Sequence, residues 1–200
     1  SNASVYVATG PITILILAVA FLGERLTTRK VAGIAIAVIG VLLVMGPETL
    51  ARFELRGSVT GDLLVLASLV MWGCFTVFGK RLTDDLGAVT VTAVVTLIGA
   101  VWMAPVGWLE MRHAGFSLTA VTPIAWGAVV YLGAGCNFLA VLLYFTALGQ
   151  TESQKVGVYL YSIPPMTAVV AATVLDEPIT LGLVAGAVLV IAGVALTERG

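Results

Sequence analysis

Seven long stretches of the chain carry no charge: 1–23, 31–47, 63–79, 86–109, 114–151, 156–175 and 178–197, with the charged residues confined to the short segments between them. A helix needs about 20 apolar residues to cross a bilayer, and each stretch is of that order or longer. Trimming polar ends predicts spans over 4–22, 29–46, 62–80, 88–109, 123–148, 156–175 and 179–197. The fifth is long enough to tilt or to extend past the headgroups. The alternation of apolar and polar positions that marks barrel strands is missing, and lipid offers nothing to an unpaired backbone, so helices are the remaining solution. The predicted fold is an all-α, polytopic membrane protein of seven transmembrane helices.

Composition agrees and narrows the functions. Of the 200 residues, 60% are hydrophobic and 10% charged, against about 25% charged in an ordinary soluble domain. A formal net charge of −1 offers no basic patch for nucleic acid. The bilayer is the expected partner. Basic residues set the orientation. Arg25, Arg29, Lys30, Lys80, Arg81, Lys155 and Arg199 fall on one side of the alternating spans, and Arg52, Arg56 and Arg112 on the other. Retention of positive charge in the cytoplasm predicts a cytoplasmic C-terminus in a cell (inner) membrane. The odd number of spans then places residue 1 outside, as expected for a chain missing an odd number of helices.

The two ends of the chain repeat one another at a spacing of 153 residues. Pro11 matches Pro164, Glu24 matches Glu177 and Thr27 matches Thr180; Val31-Ala32-Gly33 matches Val184-Ala185-Gly186, and Gly40-Val41 matches Gly193-Val194. Shared apolar character would not align the proline, the glutamate and both glycines at once, so this is a duplicated helix pair, a common device in transporters. The turn in the first copy (23–30) is basic and that in the second (176–180) acidic. The charge rule therefore predicts copies that cross the membrane in opposite directions.

The stretch from Pro11 through Gly23-Glu24-Arg25-Leu26-Thr27 to Gly33 and Gly40 resembles the end of an EamA-type repeat of the drug/metabolite transporter superfamily. Gly61, the run through Trp72, and Lys80-Arg81 resemble the opening of the next. The resemblance implies a ten-helix inverted-repeat transporter moving small metabolites by alternating access, present here without its first three helices. It divides the chain into 1–46, the last two helices of the first repeat; 47–60, an extracytoplasmic linker; and 61–200, a complete second five-helix repeat.

Candidate pathway residues follow from polarity within spans. Trp72 sits mid-span with Thr76 one turn on, and the resemblance implies a pathway role for this tryptophan. Asn137 is an amide deep in a span, which either bridges helices or lines a wet cavity. Tyr144 lies two turns beyond it on the same face. Tyr159, Tyr161 and Ser162 can present hydroxyls just before Pro164. Pro11 and Pro164 each remove a helix hydrogen bond, which makes a static kink or a hinge. Glu24 and Glu177 suit turn and cap chemistry better than ion coupling, and glycine rows in the repeated pair suit close helix packing, including packing between two copies of the chain.

Other classes fit less well. A retinal pigment needs a lysine in a late span, and 156–175 and 179–197 contain none. HExxH and GxSxG motifs are missing, and Asp84-Asp85 has no second acidic cluster, so an enzyme is not expected. No metal and no cofactor is expected. Cys74 and Cys136 read as packing residues. The expected activity is a secondary transporter, an exporter, of small organic metabolites or drugs. Its alternative is a non-transporting helical fragment that packs with a partner supplying the missing helices.

Overall fold

The computed structural model of the chain describes residues 8–46, 59–113, 121–175 and 178–200, and among them the regular structure is helical, with no strand. Helices α1 (Gly10–Leu22), α2 (Thr28–Met45), α3 (Val59–Leu86) and α4 (Ala88–His113) are followed by α5 (Pro123–Val130). A π-helical stretch, Tyr131–Leu139, carries α5 into α6 (Ala140–Gln150). Helix α7 (Ser153–Tyr159) passes through one 3-10 turn, Leu160–Ser162, into α8 (Ile163–Val174), and α9 (Leu181–Glu198) ends the chain. Six of these rods are long and apolar enough to cross a membrane, and α1 is a shorter apolar helix. The protein is a multi-pass helical membrane protein.

Two helices run past their predicted ends, because a polar turn outside the hydrocarbon layer can stay helical. In α3 the Lys80 ammonium lies 3.6 Å from Asp84 one turn on, and Gly87, at φ +81°, ends the helix. Helix α4 continues to His113, with the Arg112 guanidinium 4.2 Å above the Trp108 ring.

The chain forms two compact units, Ser1–Phe78 with Thr151–Gly200, and Gly79–Gln150. Their boundaries do not follow those of the sequence repeat. In the second unit Gly79 lies beneath the Phe145 ring, and Lys80 donates to the carbonyl of Leu148 at 2.7 Å.

The first unit holds both copies of the repeated pair, and their packing is antiparallel. Gly33 faces Gly193 and Thr197, while Gly40 faces Gly186 and Val190, so α2 and α9 cross with residue numbers rising in opposite senses. The contact is self-complementary, because Gly186 and Gly193 are the repeat mates of Gly33 and Gly40. Each glycine therefore meets the mate of the other, the signature of a local two-fold axis. Helix starts repeat as well. The Thr27 hydroxyl accepts the Lys30 N–H at 3.2 Å, and the Thr180 hydroxyl accepts the Leu183 N–H at the same distance. The predicted inverted orientation of the two copies is what the packing shows.

The glycines are required by this approach. A Cβ on Gly193 would lie 2.5 Å from the Gly33 carbonyl oxygen, and one on Gly186 would lie 2.5 Å from that of Gly40. Without a hydrophobic effect between helices in lipid, such backbone proximity supplies the van der Waals contact that holds them.

Candidate substrate pathway

Inside the first unit, α1, α2, α3 and the α7–α8 rod line a partly open cavity of about 310 Å³. Pro11, Met45, Leu69, Trp72, Tyr161 and Pro164 are among its lining residues. The wall is largely apolar, and its one hydroxyl is committed: the buried Tyr161 donates to the carbonyl of Ala8 at 2.8 Å. Ala8 is the repeat mate of Tyr161, and Pro11 of Pro164, so the cavity lies across the local two-fold. Such a space favours an uncharged or aromatic body over a charged one.

Four of the sequence candidates, Trp72, Tyr161, Pro11 and Pro164, meet at this cavity. The Trp72 ring stacks on Phe75 with centroids 5.4 Å apart. Thr76 does not line it; buried, it donates back to the Trp72 carbonyl at 3.0 Å. Pro11 occupies the first turn of α1, where its missing N–H breaks no helix bond, and Pro164 opens α8 directly after the 3-10 turn. A genuine interruption of the rod therefore accompanies the second proline. Met45, Leu69 and Val41 were not singled out from the sequence, since ordinary apolar residues carry no signal of a cavity.

Tyr159 and Ser162 face a different space, a shallower groove of about 430 Å³ formed with Ile191, Val194, Glu198 and Arg199. The Tyr159 hydroxyl donates to the Glu198 carboxylate. Asn137 and Tyr144 belong to the second unit. Asn137 lies in the π-helical stretch, exposed and with no side-chain hydrogen bond among the described residues; Tyr144 is half-buried, edge-on to Phe145.

The basic end of the first unit is cross-linked through charges that sequence reasoning treated as loop residues. The Glu24 carboxylate accepts the backbone N–H groups of Ser153 at 2.7 Å and Gln154 at 3.2 Å, capping α7 from 129 residues away. That is the cap chemistry expected of Glu24; Glu177 lies outside the described residues. Lys30 is only 1% exposed, its ammonium donating to Glu152 and, at 2.9 Å, to the Arg25 carbonyl. A buried ammonium is tolerable here because it has a carboxylate as counter-charge and a carbonyl as second acceptor. The fully buried Gln154 amide and Ser153 hydroxyl have no partner among the described residues. No group of three His, Cys, Asp or Glu among the described residues could hold a metal ion.

Comparison with known proteins gives the family. The model of the EamA-like transporter family matches residues 1–46 and 59–199. The chain belongs to that family. An uncharacterized transporter of Archaeoglobus fulgidus is 32% identical over 197 residues, which cover 98% of this chain and 67% of that protein. The "Probable terminal-alkyne amino-acid exporter" of Streptantibioticus cattleyicolor is 32% identical, covering 99% of this chain and 64% of the exporter. The "Probable amino-acid metabolite efflux pump" of Salmonella typhimurium is 28% identical over 88% of this chain and 60% of the pump. A crystal structure 22% identical in sequence shares the fold with a TM-score of 0.75, covering 99% of this chain and 66% of its own. The chain thus spans about two-thirds of the length of these relatives.

Proposed function

We propose that this chain is the larger part of a secondary transporter that exports small organic metabolites by alternating access, with the apolar cavity as part of its substrate pathway. The observation that carries the reading is the position of that cavity across the local two-fold, with Trp72 on one wall and the mated prolines Pro11 and Pro164 beside it. Two access states of an inverted-repeat protein exchange the environments of the two copies, so a substrate held on the axis is reached from either side. The exporter names of two relatives support amino-acid-like metabolites as cargo.

In this reading residues 1–46 end a first five-helix repeat, 47–60 form an extracytoplasmic linker and 61–200 form the second repeat. Three further helices precede them. The packing of α1 supports this. Gly73 of α3 is buried against Thr13, Ile14 and Leu17. The mates of Thr13 and Leu17 on α8, Met166 and Val170, are 66% and 57% exposed. A helix related to α3 by the local two-fold fits that bare face. The transporter is a multi-pass protein of the cell (inner) membrane with its C-terminus, and the cross-linked basic end, in the cytoplasm.

Efflux from proteoliposomes tests the reading on the longer protein that carries the three additional helices, with apolar and aromatic amino acids as cargo. Trp72→Ala and Pro164→Ala are expected to lower the rate about tenfold for the best cargo, with monodispersity retained; that corresponds to about 1.4 kcal/mol of transition-state stabilisation. Unchanged rates in both variants would make the cavity a packing defect and remove it from the pathway.

A further inference from the structure

The groove at Tyr159 is the two-fold mate of one corner of the apolar cavity. Val194 and Glu198 stand 153 positions after Val41 and Met45, which line the cavity, and both pairs lie at the ends of the antiparallel helices α9 and α2. The mates differ in one decisive position: where the cavity has the thioether of Met45, the groove has the carboxylate of Glu198. The two ends of the repeated pair therefore differ in polarity at this position.

That carboxylate is short of a cation although cations stand near it. The Lys155 ammonium is held on the main-chain carbonyl of Glu198 at 2.7 Å, and the Arg29 guanidinium on that of Arg199 at 3.3 Å. Both cap the last carbonyls of α9, where positive charge suits the helix dipole. The Glu198 carboxylate itself has the neutral Tyr159 hydroxyl as its partner and no ion pair among the described residues. Beside it the groove floor is Ile191 and Val194, with the Ser162 hydroxyl as a further acceptor. Glu198 is exposed, so a cation in solution can reach its carboxylate, and the apolar side chains of Ile191 and Val194 beside it offer contact to an apolar body.

We propose that this groove binds the ammonium group of a small amine with an apolar body, Glu198 supplying the counter-charge and Ile191 and Val194 the contact for the body. The proposal rests on the transport reading only in making such amines cargo; the binding site itself stands on the geometry. An amino acid satisfies it through its ammonium, with Arg199 at the rim for its carboxylate, and a simple alkylamine satisfies it without.

Titration calorimetry of the purified 200-residue chain in nanodiscs, against n-butylamine, n-butanol and n-butyrate, tests the proposal. Butylamine is expected to bind about tenfold or more tightly than butanol, and butyrate no better than butanol. Glu198→Gln is expected to remove the preference for the amine, and so is Glu198→Met, which places on this side the residue that its mate carries. Glu198→Asp retains part of it. Thermal melting of each variant shows that the fold persists. Equal affinity for butylamine and butanol would overturn the proposal, as would a preference that survives in both Glu198→Gln and Glu198→Met. Amine binding that persists while the longer protein moves no cargo would sink the transport reading and leave this site standing.

Discussion

The Lys30–Glu152 pair should respond asymmetrically to loss of its two members, and the asymmetry follows from their exposures. Lys30 is 1% exposed and the Glu152 side chain 42%. Replacing Lys30 by methionine keeps the apolar stem and leaves a carboxylate that water already reaches. The loss is then that of the pair and of one hydrogen bond to Arg25, about 1–2 kcal/mol. Replacing Glu152 by alanine instead strands an ammonium inside the protein with a single carbonyl for company, at a cost of about 3–5 kcal/mol. Glu152 stands at the N-cap of α7 without a side-chain cap bond, so alanine there adds no capping loss. The double variant Lys30→Met with Glu152→Ala should lie near Lys30→Met alone, so that the coupling in a double-mutant cycle is close to the whole Glu152→Ala loss, about 3–5 kcal/mol. Reversible unfolding of the full 200-residue chain in mixed detergent micelles measures all three. Equal losses for the two single variants, or a greater loss for Lys30→Met, would refute the reasoning, since the ammonium would then not be the buried partner.

Two further outcomes follow from the helix contacts and the charge bias. Gly193→Val should cost about 3 kcal/mol in the same unfolding assay, because even its Cβ would lie 2.5 Å from the Gly33 oxygen; Gly99→Val, where a Cβ meets open space, should cost less than about 1 kcal/mol. With Cys74 and Cys136 replaced by alanine, a membrane-impermeant maleimide added outside cells should label Val121→Cys and spare Thr151→Cys. The reverse pattern would overturn the proposed orientation. Both positions are half-buried and stand at helix ends.

The repeat was legible because it rests on residue types with few substitutes. A glycine at a helix crossing and a threonine at an N-cap are each demanded by one local geometry. Matching Gly33 with Gly186 and Thr27 with Thr180 therefore carried real three-dimensional information, and the antiparallel crossing of α2 and α9 expresses it. Span number was legible for a similar reason, since hydrocarbon excludes charge over a fixed thickness. Span ends were not, because the polar turn from Lys80 to Asp84 is helical for reasons that lie outside the membrane.

The candidate site was legible only where a residue's chemistry is unusual for lipid. Trp72 and the two prolines drew attention to themselves and do meet at the cavity. The pairing of Lys30 with Glu152 spans 122 residues and that of Glu24 with Ser153 spans 129; no periodicity in the chain encodes separations of that kind. Charges near a helix end look alike whether they meet water or each other. Glu24 and Lys30 reach from the basic turn of the first copy to the start of α7, whereas in the second copy the position of Lys30 is Leu183. Opposite orientation alone would make the two ends of the pair equivalent. The charged links at one end and the Met45–Glu198 exchange between cavity and groove make them unequal, and the proposed export needs such an inequality if cargo is to load on one side and leave on the other.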